Sequence, residues 1–247
     1  MHTTHTRNLF YLPWKKIGFI LLLVSIGLPA FAQIGGKGNY NFYGFQQKNY
    51  YFGITLGGNS SRFTPFRSEA YIFSDSIKAI ESISGPGFNL GIVTNLKIGD
   101  YFDFRFLPTL SFSERSLQYS RNSREVPLSK RQFESIFVEM PFHFRFKSAP
   151  YKDKRVFVIA GVKYSFDVAT DARARRSEAI VKISPHDFAI EYGAGIQFFF
   201  PYFIFSPEIK ISHGIGNTLL FNANLEESTV LEKVLSRTFT ISLHFEG

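Results

Sequence analysis

The chain has 247 residues, of which 45% are hydrophobic and 17% aromatic, with 30 phenylalanines among them. It contains no cysteine, which excludes disulfide bonds and cysteine-based metal sites, and a formal net charge of +8 is too small by itself to indicate nucleic-acid binding. Beyond the N-terminus there is no apolar run of the ~20 residues that a membrane-spanning helix needs, so a helical membrane protein is also excluded. The apolar residues must therefore follow a different pattern.

The N-terminal segment has the order of features found in a secretory signal peptide. Basic residues precede a short apolar run at 17–28, and residues 30–32 (Ala-Phe-Ala) place small side chains where a signal peptidase reads them. Because a transmembrane anchor needs about 20 apolar residues, we predict a cleaved signal peptide over residues 1–32. Residues 33–49 are predicted to be a periplasmic N-terminal lead-in, either a docking arm or, as is more usual for a terminus, a disordered segment.

From residue 50 onward, apolar and polar residues alternate with period two. In residues 101–113, Phe102 and Phe104 point to one side and Asp103 and Arg105 to the other, because successive side chains of a strand face opposite sides of a sheet. Most of the segments with this pattern have the length of a tilted membrane-crossing strand, about 9–11 residues. The eight segments are approximately 50–60, 87–97, 101–113, 133–147, 155–168, 187–200, 202–213 and 237–246.

The connections between these segments alternate between long and short. The long ones are 61–86, 114–132, 169–186 and 214–236, whereas the others are tight turns. Bacterial outer-membrane barrels have this asymmetry, with short periplasmic turns and long extracellular loops. We therefore predict an all-β fold, an eight-stranded antiparallel up-and-down transmembrane β-barrel over residues 50–247. It would lie in the outer membrane, with both termini in the periplasm.

The polar face of the predicted strands carries charges of both signs in equal number. The inward residues are Lys97, Arg105, Arg145, Lys147, Lys163 and Lys210, with Asp103, Glu139, Asp167, Asp187, Glu191 and Glu208. An eight-stranded barrel is only wide enough to hold its own side chains, and buried charges need partners. We therefore predict a structural charge network rather than a channel. The residues on which it should depend most are Arg105, Glu139, Arg145, Lys163, Glu191, Glu208 and Lys210.

Glycine and proline positions refine this prediction. Small inward residues make room for long charged side chains, and the inward glycines are Gly53, Gly57, Gly91, Gly161, Gly193 and Gly195. Pro141 and Pro207 fall in the middle of strands, where each removes a backbone donor. We expect a bulge or a local break at both prolines.

The long connections are rich in arginine. The residues concerned are Arg121, Arg124, Arg173, Arg175 and Arg176. They favour contact with lipopolysaccharide phosphates or with an acidic protein partner, but solvated loops without any partner show the same composition. Both interpretations remain open.

An enzyme is not expected. Small barrels that modify lipids use a serine, a histidine and a carboxylate near the outer rim, and Ser212, His213, Asp167 and Asp187 fall at that height. Adjacent residues of one strand face opposite sides, however, so Ser212 and His213 cannot act together on one surface. No two histidines have a ligand spacing, and we predict no catalytic residue, no metal and no cofactor.

Four strings of the sequence resemble the PorT/SprT family. They are YYFGITLGGN at 50–59, ESIFVEMP at 134–141, VFVIAGVKYSFD at 156–167 and FFFPYFIFSPEIK at 198–210. The similarity runs from about residue 48 to the end, and SPEIK after FPYF is its most specific part. Gln197 stands where the family usually has an acidic residue and Ile204 where it usually has lysine. Both departures bear on periplasmic contacts near Pro201.

The resemblance implies a role in the type IX secretion system, which exports proteases, adhesins and gliding-motility proteins. It implies other secretion components as partners, beside outer-membrane lipid and lipopolysaccharide, and no nucleic acid. It supplies no catalytic residue. The alternatives are a surface barrel that binds lipopolysaccharide or an external partner through its basic loops, without a part in secretion, and a lipid-modifying enzyme.

Overall fold

The computed structural model describes residues 38–73, 77–121, 129–169, 182–221 and 226–247. The predicted signal peptide lies outside these residues. Three short helices are present in the described residues: α1 (Tyr40–Gln46), α2 (Ala70–Phe73) and α3 (Glu226–Thr229). The strands are β1 (Tyr50–Arg67), β2 (Ile77–Lys97), β3 (Phe102–Phe106), β4 (Thr109–Arg121), β5 (Ser129–Lys147), β6 (Lys154–Asp167), β7 (Lys182–Ile183), β8 (His186–Phe199), β9 (Ile204–Gly214), β10 (Leu219–Leu220) and β11 (Leu231–Glu246).

The long strands form one closed antiparallel sheet. Its order is β1-β11-β9-β8-β6-β5-β3-β2, and β1 also pairs with β2, which closes the ring. β3 and β4 are two halves of one strand interrupted at residues 107–108, since both lie between β2 and β5. The ring therefore has eight strands that neighbour each other in chain order. The predicted up-and-down barrel is confirmed.

The outer face of the barrel is apolar. Phe52 (54% exposed), Phe144 (60%) and Val156 (56%) all point away from the interior, and the same holds on every side of the ring. A closed sheet leaves no unpaired backbone edge, which is what hydrocarbon demands of any structure that crosses it. Among the described residues, no helix is both long enough and apolar enough to span a membrane.

The two ends of the barrel differ in their connections. At one end, which we call the turn end, strands are joined by residues 98–101, 148–153 and 200–203, and α1 and the last residues of β11 lie at this end too. At the other end, the loop end, the connections are 68–76, 122–128, 168–185 and 215–230. The alternation of short and long connections thus follows the predicted order.

The strands extend further toward the loop end than predicted. β1 continues to Arg67 and β2 begins at Ile77, so the predicted loop at 61–86 is mostly strand. The reason is that the alternation inverts there: Phe63 is buried inside while Arg62 is exposed outside. A sheet surrounded by water has an apolar interior and a polar exterior. The prediction relied on an apolar exterior, so it did not recognise these residues as strand.

The inverted portions of the strands enclose an apolar core at the loop end. We call it the loop-end core, and its buried residues are Phe63, Ile77, Ile80, Leu117, Tyr119, Phe133, Leu219, Val230, Leu231 and Val234. Phe63 and Phe133 meet edge to face, with ring centroids 5.7 Å apart. The interior is therefore filled by apolar side chains at this end, in contrast to the charged layer below it.

The predicted local breaks occur at both Pro141 and Pro207, but each on one side of the proline strand only. Pro141 pairs with Lys163 in continuous register and Pro207 pairs with Leu243 without a shift. On the other side, the pairing of β5 is interrupted at Pro141, and the pairing of β9 with β8 is interrupted at Pro207. The interruption opposite Pro141 lies in the neighbouring strand, between β3 and β4, where Leu107 donates its N–H to the Pro141 carbonyl at 3.2 Å. The carbonyl of a proline can still accept, so the partner strand adapts while the proline strand stays straight.

Helix α1 changes the interpretation of the N-terminal lead-in. Residues 40–46 are not a disordered segment, because Phe42 and Phe45 are buried against Phe199 at the turn end of the barrel. Asp153 accepts a hydrogen bond from the Phe42 N–H at 3.0 Å. The docking-arm alternative fits this part of the segment better than disorder does.

Candidate functional site

The charged interior is the candidate site, and we call it the lumen network. Among the described residues, seven acidic and seven basic side chains and two histidines are buried inside the barrel. The members are Asp103, Arg105, Arg115, Glu139, His143, Arg145, Lys147, Arg155, Lys163, Asp167, Asp187, Glu191, Glu208, Lys210, His244 and Glu246. All seven residues that the sequence singled out are among them. Their charges balance, as a dry interior requires.

Glu191 on β8 is the centre of the part of the network closer to the loop end. Its carboxylate lies 3.4 Å from Lys163 Nζ on β6 and 3.4 Å from Lys210 Nζ on β9, the two strands that flank β8. His143 Nε2 lies 2.7 Å from the same carboxylate. Lys163 also meets Glu139 at 3.0 Å. One carboxylate therefore joins four strands of the barrel.

Arg105 and Arg145 organise the part closer to the turn end. Arg105 donates to Glu208 at 2.8 Å and to Glu246 at 3.0 Å. Arg145 Nη1 lies 3.6 Å from Glu246. In the ring order, β3 stands opposite β9 and β5 opposite β11, so the contacts Arg105–Glu208 and Arg145–Glu246 both cross the whole interior. Two ion pairs thus connect opposite walls of the barrel.

Asp103 lies next to Arg145 and binds it together with one further cation, Lys147. Arg145 Nε donates to its carboxylate at 3.0 Å, and Lys147 Nζ forms an ion pair with its other oxygen. Arg145 also donates to Asn95 Oδ1 at 3.1 Å and to the Tyr51 hydroxyl. The guanidinium can reach several acceptors at once because its donors form a rigid fork, which lysine lacks.

The turn-end opening is closed by α1. Arg155 lies over the rings of Phe42 and Phe199, 5.4 and 5.2 Å from their centroids, and donates to Gln197 Oε1 at 2.7 Å. Ile204 is buried in the same aromatic cluster. The two positions at which this chain departs from the PorT/SprT pattern, Gln197 and Ile204, therefore lie directly beneath the helix.

The interior is thus filled at three successive levels. The aromatic cluster under α1 occupies the turn end, the lumen network the middle, and the loop-end core the other end. In the described part of the barrel, side chains form ion pairs across the full width of the interior. Chemically, this arrangement can hold a rigid shape, and it does not have the single-sign lining of a selective pore.

Sequence reasoning missed several members of this site. Arg155 and Glu246 follow the same alternation as the predicted inward charges, so extending the polar face to the strand ends would have found them. Tyr51 was missed because it belongs to an aromatic string. Lys97 lies on the inward face, as predicted, because it pairs directly with Asp103; it lies at the turn-end rim, where it donates to the Gln46 carbonyl at 2.8 Å.

The other predicted residues are not brought together into a site. Ser212 is buried inside, whereas His213 faces outward with its Nε2 3.0 Å from the Tyr192 hydroxyl. No group of three or more residues suited to a metal ion occurs in the described residues. Of the loop arginines, Arg121 is the last residue of β4, and Arg124, Arg173, Arg175 and Arg176 lie outside the described residues.

Truncating Phe42 should release α1 from the barrel. The Phe42→Ala variant loses the edge-to-face contact with Phe199, whose centroid lies 5.1 Å away, and the cation–π contact with Arg155. Removing a buried aromatic side chain from a core weakens packing by about 3–5 kcal/mol. Limited proteolysis of the folded protein should then cut the N-terminal segment at least tenfold faster. Tyr40→Ala, which removes an aromatic side chain that is 80% exposed on the same helix, is the matched control and should leave the rate unchanged.

Comparison with known proteins identifies one family. The model of the outer membrane protein beta-barrel domain matches residues 30–220. Among solved structures, Ail of Yersinia pestis, in complex with the heparin analogue sucrose octasulfate, is 13% identical with a TM-score of 0.35, and the match covers 81% of this chain and 100% of Ail. OprG of Pseudomonas aeruginosa is 10% identical with a TM-score of 0.43, over 81% of this chain and 97% of OprG. A search of the curated proteins finds no match.

Proposed function

This chain belongs to the outer membrane protein beta-barrel domain family and is an outer-membrane protein; from that premise we propose that it is a non-enzymatic component of type IX protein secretion. Its role would be accessory to export and not that of the conduit. The turn end would face the periplasm with both termini, as the short periplasmic turns of bacterial barrels indicate.

The observation that carries the accessory role is the pair of ion contacts across the lumen. Arg105 to Glu208 and Arg145 to Glu246 occupy the full width of the barrel at its middle. Opening a path for a polypeptide would separate buried charges, and each would then lack its partner in a low-dielectric interior. A barrel of this kind supports export by its surfaces, not by its lumen.

The resemblance to PorT/SprT supports the secretion role. The matching strings contain five members of the lumen network: Glu139 at 134–141, Lys163 and Asp167 at 156–167, and Glu208 and Lys210 at 198–210. The resemblance therefore lies in the residues that set the interior, as well as in the alternation that all outer-membrane barrels share. Partners would meet the protein at its rims, where the charged interior ends.

Deletion of the gene in its native host tests the proposal. We expect type IX cargo proteins to accumulate in the periplasm and to disappear from the medium, and we expect reintroduction of the full chain to restore export. A periplasmic marker protein, which should stay inside the cells of both strains, controls for leakage. Undiminished export in the deletion strain would contradict the secretion role and would favour a barrel that binds an external ligand through its basic loops.

A further inference from the structure

A row of two arginines and one histidine crosses three neighbouring strands on the outer surface of the barrel. Arg62 on β1 stands directly opposite Arg237 on β11, and Arg237 stands directly opposite His213 on β9. All three point outward, because the residues that flank them in each strand are buried. Side chains directly opposite each other on neighbouring strands are close together, about 5 Å apart at Cβ, and like charges there are destabilising.

The two arginines have no acidic neighbour to offset this repulsion. Among the described residues, no aspartate or glutamate forms an ion pair with Arg62 or Arg237, although the lumen network pairs its cations repeatedly. The two guanidinium groups therefore lie side by side without a carboxylate of the protein to neutralise them. Arg62 and Arg237 are separate from the arginines of the long connections.

The row adjoins a small recess with hydroxyl groups. Ser60, Arg62, Ser84, Ile211, Arg237 and Phe239 line a recess of about 210 Å³. Its volume is several times that of one water molecule, about 30 Å³. Guanidinium forks and hydroxyl donors are the groups that bind phosphate oxygens, and guanidinium does so with two parallel hydrogen bonds. A recess of this composition suits a tetrahedral dianion.

The height of the recess identifies the source of the anion. On the side toward the turn end, the outward residues next to the row are apolar: Phe239 and Ile241 on β11, Ile209 and Ile211 on β9. On the other side of the row, the interior becomes apolar with Phe63, where the sheet turns to its water-exposed pattern. The row therefore lies at the boundary between hydrocarbon and water, which is where lipid headgroups are found.

We propose that Arg62 and Arg237, with Ser60 and Ser84, bind the phosphate group of a membrane lipid in the leaflet at the loop end. In the orientation proposed above, that leaflet is the outer one, and the ligand is the phosphorylated glycolipid of the outer membrane. The lipid phosphate supplies the counter-ion that the protein lacks at this position. Bound lipid therefore stabilises the pairing of β1 with β11, the first and last strands of the barrel.

Native mass spectrometry of the full chain, folded in zwitterionic detergent, tests this proposal with diphosphorylated lipid A as the probe. The double variant Arg62→Gln/Arg237→Gln should bind at least tenfold more weakly, since each cation near a membrane surface contributes roughly a factor of five. Lys152→Gln/Lys154→Gln, which removes two cations at the turn end, is the matched control and should bind like the unmodified chain. Equal binding by both variants, or an equal loss in both, would overturn the proposal.

Two further arms distinguish the chemistry of the ligand. Enzymatically dephosphorylated lipid A should bind the unmodified chain as weakly as diphosphorylated lipid A binds the double variant. Inorganic phosphate at the same concentration should not displace the lipid; displacement would indicate a site for free phosphate and would overturn assignment to the membrane. Neither result depends on secretion, so the proposed function can fail while this site stands.

The stability of the lipid-free barrel provides an independent test. Because the two arginines repel each other, Arg62→Gln alone should raise the midpoint of thermal unfolding in lipid-free zwitterionic detergent. Adding diphosphorylated lipid A should raise the midpoint of the unmodified chain and have little effect on the variant. A variant that unfolds at a lower temperature than the unmodified chain would contradict the idea that the pair lacks a counter-ion.

Discussion

Replacing Glu191 by alanine is expected to destabilise the folded barrel by about 3–5 kcal/mol, because removal of one partner leaves buried charges uncompensated. Glu191 is the carboxylate shared by Lys163, Lys210 and His143, at distances of 3.4, 3.4 and 2.7 Å. Lys163 would keep Glu139, but Lys210 would lose its only ion pair in the described residues. The interior would then carry an excess positive charge that water cannot reach.

Urea titration of the barrel folded into lipid vesicles measures this effect. Folded and unfolded forms of outer-membrane barrels separate on a gel without boiling, which gives the fraction folded at each urea concentration. Glu232→Ala is the matched control, since Glu232 is exposed on β11 and its loss should change the free energy of unfolding by less than about 0.5 kcal/mol. A Glu191→Ala barrel as stable as the control would mean that the network is hydrated and its charges independent.

Replacing Gly161 by alanine is expected to destabilise the barrel by about 1–3 kcal/mol, because it inserts a methyl group where no space exists. A Cβ at Gly161 would overlap the carbonyl oxygen of Phe142 and would lie 2.9 Å from the His143 Cα. The neighbouring strand β5 would have to shift. That shift would carry the His143 ring away from Glu191, so the steric effect would reach the lumen network.

Gly58→Ala is the matched control for Gly161→Ala. A Cβ at Gly58 meets nothing within 4 Å, and its backbone needs no left-handed conformation. This substitution should be neutral, or stabilising by about 0.4–1 kcal/mol through lower entropy of the unfolded chain. The same urea titration compares the two variants, and equal stabilities would contradict the close strand approach at Gly161.

The strand cores and the identity of the inward charges could be predicted because both follow from one periodicity. Where the outward residues are apolar, as at Phe102 and Phe104, the alternation identifies the side of the strand that faces lipid. Asp103 and Arg105, which face the opposite side, must then lie inside. The closed ring follows from the solvent, since an open edge cannot exist in hydrocarbon. The number of strands and their order in the sheet could be predicted from the spacing of the turns alone.

The partners of those charges could not be predicted in the same way. Lys163 and Lys210 flank Glu191 on adjacent strands, so their approach depends on register alone. Arg105 and Glu208 meet across the lumen, which depends on strand tilt, barrel diameter and the break between β3 and β4. Period-two patterns contain none of these quantities. Helix α1 escaped prediction because seven residues with two buried aromatics, Phe42 and Phe45, are too short a signal against an aromatic background.

Strand β1 obeys opposite packing rules in its two halves. From Tyr50 to Leu56 the outward side chains meet lipid and the inward ones adjoin the lumen network, whereas beyond Arg62 the outward ones meet water and Phe63 faces the loop-end core. An outward leucine would thus be favourable in the half of β1 that contacts lipid and unfavourable in the half that is exposed to water. Outward residues at the loop-end rim can therefore be polar, as on a water-soluble protein, whereas outward residues nearer the turn end must stay apolar.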